Sequence, residues 1–279
     1  MNPPARSLDP LRPLISAAPQ GQALSRPTCT VPGLDPESPY VSRLSARSAL
    51  YNDLALLLDA AEAPLDVNAF RQLVTDENRL SRGSDAARRK LWQELKSRYL
   101  LDGEHPLFAA FWHEWSRSAT DAERALTAYC MLALNDRLVA DLGTEFLYPR
   151  LRRAPFALRV DDVLTFLRHA QQPHPEVRQW SAKTTVAVAQ KYCASIRDFG
   201  LAKGTSNKQT IRPALYGAPT RLLIRALRLT GALDLALLNA PLFKLLALEG
   251  PEVIDALGEL NRDGQLRFRM QGDIVELEI

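Results

Sequence analysis

The chain has 279 residues, of which 46% are hydrophobic and 24% charged, and this composition is ordinary for a globular protein. The formal net charge of +3 is too small to indicate any particular class of partner. The three cysteines, Cys29, Cys130 and Cys193, lie far apart and form no CxxC pair. They therefore provide neither a disulfide framework nor a zinc site, and they fit a reducing compartment.

Residues 1–39 form a predicted disordered, proline-rich tail, because nine of the nineteen prolines lie within the first forty residues. No apolar run follows the opening MNPPARSLDP, so we expect no secretory signal. The most apolar stretch, 222–250, is interrupted by Arg225, Asp234 and Pro241, which predicts no membrane span. We therefore expect a cytoplasmic protein with no membrane partner.

Residues 40–104 predict an N-terminal helix-turn-helix-like module. Leucines at helical spacing between Ser45 and Ala61 indicate an amphipathic helix, and Asp66 is placed to cap a second helix. Ser84 follows a glycine and is placed to cap a third, basic helix. A DNA-binding module of that class has two helices, then a turn that contains glycine, and then a basic helix.

Residues 105–175 predict a central helical region with one helix over about 120–142, a linker at 151–155 and a helix at 160–171. Residues 176–215 predict a second, winged-helix-like segment. Ser181 caps a helix there whose inward positions include Val186, Ala189 and Cys193, and the polar loop KGTSNKQ precedes a β-prone stretch.

Residues 216–279 predict helices at 221–230 and 251–261, followed by a hairpin with a Gly-Asp turn at 272–273. The predicted fold class is all-α (mostly helical), with winged-helix or helix-turn-helix-like modules and a short C-terminal β-hairpin.

Motifs that carry catalytic chemistry are missing from the sequence. It has no phosphate-binding glycine loop and no GxSxG nucleophile elbow. His113 and Glu114 begin like the zinc-protease HExxH, but Arg117 occupies the position of the second histidine. His169 and His174 flank a proline and are expected in a loop. We expect no enzyme activity, no metal, no cofactor and no small-molecule substrate.

Two segments are rich in lysine and arginine. Residues 82–98 carry six basic and two acidic side chains, and residues 178–212 carry seven basic side chains against Asp198 alone. A local cationic surface binds DNA by releasing counterions from its phosphates, and hydroxyl and amide groups also bond phosphate oxygens. The predicted DNA-binding residues are Arg88, Arg89, Lys90, Lys96, Lys183, Thr184, Lys191, Lys203, Asn207, Lys208 and Arg212.

A third basic stripe consists of Arg221, Arg225 and Arg228, which share one face of a predicted helix. It either extends the DNA-binding surface or pairs with acidic residues inside the protein, such as Glu252, Asp255 and Glu259. The internal pairing is the favoured interpretation.

Three stretches resemble the BrxA family of BREX phage-defence systems. The first is YNDLALLLDAA with VTDENRLSRGSDAARRKLWQELKSRYL, the second is WSAKTTVAVAQKYCASIRDFGLAKG, and the third is PEVIDALGELNRDGQLRFRMQGDIVELEI, similar to the helix-plus-hairpin ending of longer members. The resemblance covers about residues 40–279, and the proline-rich tail departs from it.

This resemblance implies a non-catalytic double-stranded DNA-binding component that acts with methyltransferase, ATPase and phosphatase-like partners. The alternative is a protein-interaction adaptor of the same assembly, whose basic faces bind acidic surfaces of other BREX proteins rather than DNA.

Overall fold

A computed structural model describes residues 29–279, and its regular structure is mostly helical. The α-helices, in chain order, are α1 (Tyr51–Asp59), α2 (Val67–Thr75), α3 (Asp85–Tyr99), α4 (Pro106–Arg117), α5 (Asp121–Leu134), α6 (Arg137–Asp141), α7 (Tyr148–Arg152), α8 (Val160–Ala170), α9 (Ala182–Asp198), α10 (Gly217–Leu229), α11 (Asp234–Leu238) and α12 (Pro251–Arg262). A π-helical segment, Leu142–Leu147, joins α6 to α7, and short 3-10 turns lie at Arg43–Ser45, Pro175–Gln179 and Pro241–Leu246.

The strands are short and form two antiparallel pairs. Strands β1 (Ala202–Lys203) and β2 (Gln209–Thr210) follow α9, while β3 (Arg267–Gln271) and β4 (Ile274–Glu278) form the C-terminal hairpin. Gly272, with φ of 58°, begins the predicted two-residue turn of that hairpin. The predicted mostly helical fold and its C-terminal hairpin are confirmed.

Side-chain caps start the helices where the sequence predicts them. The carboxylate of Asp66 accepts from the backbone N–H groups of Asn68 and Ala69, and the hydroxyl of Ser84 accepts from that of Ala87. The hydroxyl of Ser181 does the same for α9. Each cap satisfies backbone donors that have no partner within the helix, so these residues fix where α2, α3 and α9 begin.

Three helix boundaries differ from the predictions. Helix α1 begins at Tyr51 rather than Ser45, because Leu50 adopts a left-handed conformation with φ of 58°. The single helix predicted over about 120–142 is broken at Asn135, after which Asp136 caps α6. Helix α10 begins at Gly217, four residues before the predicted start. Periodicity alone did not reveal these interruptions, which depend on tertiary contacts.

Helix α5 lies at the centre of the fold, and every residue from Ala125 to Leu134 is buried. It packs against α4 and α10, which also pack against each other. An all-apolar helix surface of this kind indicates a helix surrounded by others. The three helices therefore form the core around which the basic segments are arranged.

Residues 29–39, assigned from the sequence to the disordered tail, pack against the body of the protein. Val31 is 1% exposed, and the backbone N–H of Gly33 donates to the carbonyl of Leu134 at 2.8 Å. A Cβ at Gly33 would lie 2.1 Å from the carbonyl oxygen of Ala133, so only glycine permits this approach. Residues 1–28 of the predicted tail lie outside the described residues.

The third basic stripe is internal, as the favoured interpretation predicts, although its acidic partner is not one of the acids expected. Glu114 on α4 is fully buried, and its two carboxylate oxygens accept from Arg221 Nε at 2.7 Å and Arg225 Nε at 2.9 Å. Arg228 donates to the backbone carbonyl of Leu277 in β4. The stripe therefore joins α10 to α4 and to the C-terminal hairpin.

Within residues 29–279, none of the helices has the length and apolar character needed to cross a membrane. The same range contains no group of three or more His, Cys, Asp or Glu side chains placed to hold a metal ion.

Candidate nucleic-acid interface

Helix α9 presents one polar face to solvent and one apolar face to the core. Ala189, Cys193 and Ile196 are at most 1% exposed, whereas Lys183 and Gln190 are exposed on the other side. Val186 was predicted to point inward, and this is wrong, because its side chain is 39% exposed. The side chains from Ala182 to Ala187, in the first turns of α9, are exposed or half-buried and therefore accessible from solvent.

A small sheet lies next to α9. Strand β1 pairs with β2, with Lys203 opposite Gln209, and β2 also forms a bridge to Ala157. The carbonyl of Phe156 accepts from the N–H of Thr210 at 2.8 Å, and the N–H of Leu158 donates to the carbonyl of Lys208 at 2.9 Å. Residues 156–158 therefore add a third, outer segment to the hairpin.

The linker predicted at 151–155 is shorter than expected. Helix α7 extends to Arg152, and hydrogen bonds to β2 already begin at Phe156. Helix α8, which follows directly, packs along α9. The segment predicted at 176–215 thus packs as one unit with the residues before it, from Phe156 onward.

Three lysines of the second basic segment have no side-chain partner in the described part of the chain. They are Lys183 near the start of α9, Lys191 in its middle and Lys203 in β1; Lys183 and Lys203 are exposed, and Lys191 is half-buried. The polar groups predicted with them lie nearby in sequence: Thr184 contacts the capping hydroxyl of Ser181 at 2.8 Å, and Asn207 is exposed in the β1–β2 loop. No acidic side chain in the described part of the chain neutralises these three predicted DNA contacts.

The other basic side chains of the second segment have partners within the protein. Arg212 pairs with Glu252 at 3.3 Å, which also accepts from Arg152. Arg197 pairs with Asp198, and Arg178 donates to the carbonyl of Gln171. These pairs lie near the surface, where an ion pair contributes little to stability and is readily exchanged for another partner.

Lys208 forms a hydrogen bond within the β1–β2 loop. Its Nζ donates to the carbonyl of Thr205 at 2.7 Å. Burial raises the pKa of Cys193 on α9 to about 11, and the positive charge of Lys208 opposes this shift. Lys208 is half-buried, and one of its three N–H donors is occupied by the bond that closes the loop.

In the first basic segment, acidic side chains neutralise most of the arginines. Arg82 pairs with Asp53, and Arg88 pairs with Asp85 one turn earlier on α3. Arg89 and Lys90 are exposed, and Lys96 is half-buried. These three are the members of the predicted site in this segment that have no ion pair among the described residues.

Arg98, counted in this segment as a basic residue, is fully buried. Its guanidinium pairs with Glu94 and donates to the backbone carbonyls of Arg43, Arg47 and Ser48 at 2.9–3.1 Å. Five donors in a planar group can bond several carbonyls at once, which lysine cannot do. Arg98 therefore connects α3 to the chain before α1 and is unavailable to a ligand.

Helix α3 has no hairpin after it. A short connection from Leu100 to His105 leads directly into α4, whereas α9 is followed by β1 and β2. The two segments that looked alike in the sequence therefore differ in architecture, and the second alone of the two carries strands next to its basic helix.

Two exposed arginines that flank the outer segment, residues 156–158, were not predicted to be part of the site. Arg153 follows α7 and Arg159 precedes α8, and neither has an ion pair within residues 29–279. They flank the residues that bond to β2. The basic run LRRAPFALR was a signal for them, but its proline favoured a linker interpretation.

Fold and surface together define a helical protein with a basic helix and a basic small sheet on one segment. The BrxA family model matches residues 38–227, which is more than half of the chain, and the chain therefore belongs to the BrxA family. Family membership indicates a component of a BREX phage-defence system. No curated protein matches the sequence.

Proposed function

We propose that this protein is a non-catalytic, double-stranded DNA-binding component of a BREX defence system, and that α9 with the β1–β2 hairpin is its DNA-binding surface. The observation that carries the proposal is the set Lys183, Lys191 and Lys203, which lies on these elements, is wholly or partly exposed and has no ion pair in the described part of the chain. Each cation that neutralises a phosphate releases counterions from DNA, so unpaired lysines contribute more binding free energy than lysines already in ion pairs.

The order of elements supports a winged-helix interpretation of this segment. The chain order is the outer segment at residues 156–158, helix α8, helix α9 and the hairpin β1–β2, and Ala157 of the outer segment forms a β-bridge to Gln209 in β2. In such modules the second helix is placed to enter the major groove while the hairpin contacts the backbone. Lys183 and Lys203 would then contact phosphates on either side of α9.

The exposed side chains favour duplex over single-stranded DNA. Single-stranded DNA is bound by exposed aromatic platforms on which the bases stack. Trp92 and Trp115 are at most 3% exposed, and the one large aromatic side chain strongly exposed among the described residues is Phe156 at 41%. One ring does not provide a stacking track.

The ion pairs of Glu114 support the absence of catalysis at the His113–Glu114 dipeptide. Glu114 is buried and held by Arg221 and Arg225, so its carboxylate cannot act as a general base toward solvent or hold a metal. A nuclease assay with added Mg²⁺, Mn²⁺ or Zn²⁺ tests this part of the proposal. Metal-dependent cleavage of duplex DNA by the purified protein would overturn it.

The test of DNA binding is fluorescence anisotropy with two duplexes of unrelated sequence, measured from about 50 to about 200 mM salt. The variant with Lys183→Glu, Lys191→Glu and Lys203→Glu is expected to bind both duplexes on the order of 100-fold more weakly, and to reduce the salt slope by about three. The matched control has Arg71→Glu, Arg117→Glu and Arg262→Glu, three exposed arginines outside the predicted site, which changes the net charge equally.

Equal losses in both variants would show that only net charge matters, and this would remove α9 as the interface. Unchanged binding in the α9 variant would favour the adaptor function, in which these lysines meet acidic protein surfaces. Pulldown of other BREX proteins by the wild type and by the α9 variant then provides the corresponding test of the adaptor.

A further inference from the structure

A groove of about 450 Å³ lies between α4 and α10, on a part of the surface that the proposed DNA-binding residues do not line. Its apolar floor includes Ala109, Ala110, Leu229 and Ile279, and its cationic side includes Arg225 and Arg228. The small alanines of α4 give the groove its depth, since larger side chains there would fill it. The groove thus combines an apolar floor with a cationic side.

The single carboxylate of Glu114 does not balance the arginine charges at this groove. Glu114 is the carboxylate that binds Arg221 and Arg225, and both of its oxygens are occupied by these contacts. Arg228 donates to the neutral carbonyl of Leu277 and has no ion pair within residues 29–279. Three guanidiniums therefore share one carboxylate, and two positive charges of this cluster remain without a counter-charge in it.

The pKa of Arg228 is consistent with this excess of positive charge. Burial lowers the pKa of its guanidinium below the ordinary value, and the like charge of Arg225 lowers it further. A half-buried cation next to another cation is relieved by an anion that enters the groove, because the local dielectric constant is lower there than in water. Solvent reaches the site, since the side chain of Arg225 is 27% exposed.

We propose that this groove docks an acidic, amphipathic peptide segment of a partner protein, whose carboxylates bind Arg225 and Arg228 while an apolar side chain rests on Ala109 and Ala110. Arginine forks bind carboxylates in two parallel hydrogen bonds, which gives such a contact direction as well as strength. The alanine floor distinguishes this ligand from a DNA backbone, which brings phosphates but no aliphatic side chain. The proposal does not depend on DNA binding by α9.

The experiment uses a short fluorescein-labelled peptide with Glu and Asp on one helical face and Leu on the other, titrated with the full chain and read by anisotropy. Two comparison peptides replace either all acids by Lys or all leucines by Ser. The expected result is that only the acidic, leucine-containing peptide binds tightly. Equal binding of the serine peptide would mean that charge alone acts, and would overturn the proposal.

Variants then locate the binding site. Arg228→Gln removes one cation, and Ala109→Trp fills the groove without changing charge; each is expected to weaken peptide binding about tenfold. Arg117→Gln, on the same helix α4 but outside the groove, is the matched control and is expected to leave binding unchanged. Ala109 is exposed, so its variant is expected to fold even if Arg228→Gln does not.

A competition experiment separates the carboxylate ligand from a phosphate ligand. Excess duplex DNA is added to the peptide complex of the variant with Lys183→Glu, Lys191→Glu and Lys203→Glu. Retention of the peptide is the expected result. Displacement by DNA in this variant, or equal peptide affinity of the Arg228→Gln, Ala109→Trp and Arg117→Gln proteins, would overturn the proposal.

Discussion

The two basic segments of this protein have similar charge in the sequence and different uses in the fold. In residues 82–98, Arg82 and Arg88 pair with acids and Arg98 is buried among backbone carbonyls. Arg89, Lys90 and Lys96 of that segment have no ion pair in the described part of the chain, and neither do the lysines of α9 and β1 in residues 178–212; of the two sets, the second lies next to a small sheet. The net charge of a segment therefore says little about binding until the partner of each side chain is known.

The residue types follow the same division. Arginine predominates in the first segment, where several carbonyls must be bonded by one side chain, and lysine predominates on α9 and the hairpin. Lysine carries a compact charge on a flexible stem and suits contact with many phosphate positions. Four variants test the contrast between side chains that stabilise the fold and side chains available to a ligand.

The largest expected effect is on stability and comes from the buried side chain of Arg98. Arg98→Ala is expected to lower the free energy of unfolding by about 3–5 kcal/mol, since it removes a buried ion pair and leaves the carbonyls of Arg43, Arg47 and Ser48 without their donor. Urea unfolding followed by circular dichroism measures it. A loss below about 1 kcal/mol would contradict the structural role of Arg98.

Asp136, which contacts Arg43, provides a second test, through the pH dependence of the free energy of unfolding. Burial raises the pKa of this carboxyl to about 6, against an ordinary value of 3.8, despite its 3.4 Å contact with Arg43. An acid whose pKa is raised on folding stabilises the fold below its unfolded pKa, and this contribution is lost as the pH rises through about 6.

Asp136→Asn keeps the cap of α6 but cannot ionise. Relative to the wild type, its free energy of unfolding is expected to rise by about 2–3 kcal/mol as the pH increases from about 4 to about 7. Urea unfolding of both proteins at each pH measures the difference. A pH-independent difference would show that Asp136 has the same pKa in the folded and unfolded states.

On the external side, the double variant Arg153→Gln and Arg159→Gln tests whether the edge segment belongs to the DNA-binding surface. Its loss of affinity for duplex DNA is expected to be about fivefold, with a salt slope smaller by about one to two. Arg117→Gln serves as the control for a lost surface charge. Identical salt slopes in the double variant and the wild type would limit the interface to α9 and the hairpin.

The smallest effect is expected from removing an acid. Glu252 pairs with Arg212 and Arg152, so Glu252→Gln frees both arginines. The affinity for duplex DNA is expected to increase about two- to threefold, because the arginines become available and a negative charge is lost. Anisotropy at low salt measures this change. A decrease would mean that these ion pairs position the arginines for DNA rather than compete with it.

Local rules predicted the helices well, because capping residues and apolar spacing act within a few residues. Asp66, Ser84 and Ser181 cap the helices predicted for them. The break at Asn135 was not predictable in this way. The side chain of Asn135 bonds to the carbonyls of Ser97 and Arg98, nearly forty residues earlier, so the cause is a tertiary contact.

The candidate site was predictable in composition but not in exposure. Lys183 and Lys203 are exposed as a binding surface requires, whereas Arg98 contributes the same charge to the sequence and none to the surface. The bridge between Ala157 and Gln209 was missed because a single β-bridge leaves no periodic pattern in the sequence. Pairing of this kind depends on the tertiary contacts that surround the two segments.

The course of α10 has a consequence for how the molecule unfolds. The family match ends at Leu227, two residues before this helix ends at Leu229, and Arg221 reaches across to Gln265 at 3.3 Å. The region after the match therefore shares its interior with the matched region. We expect calorimetry to record one cooperative melting transition for both regions, with a calorimetric enthalpy equal to the van't Hoff value.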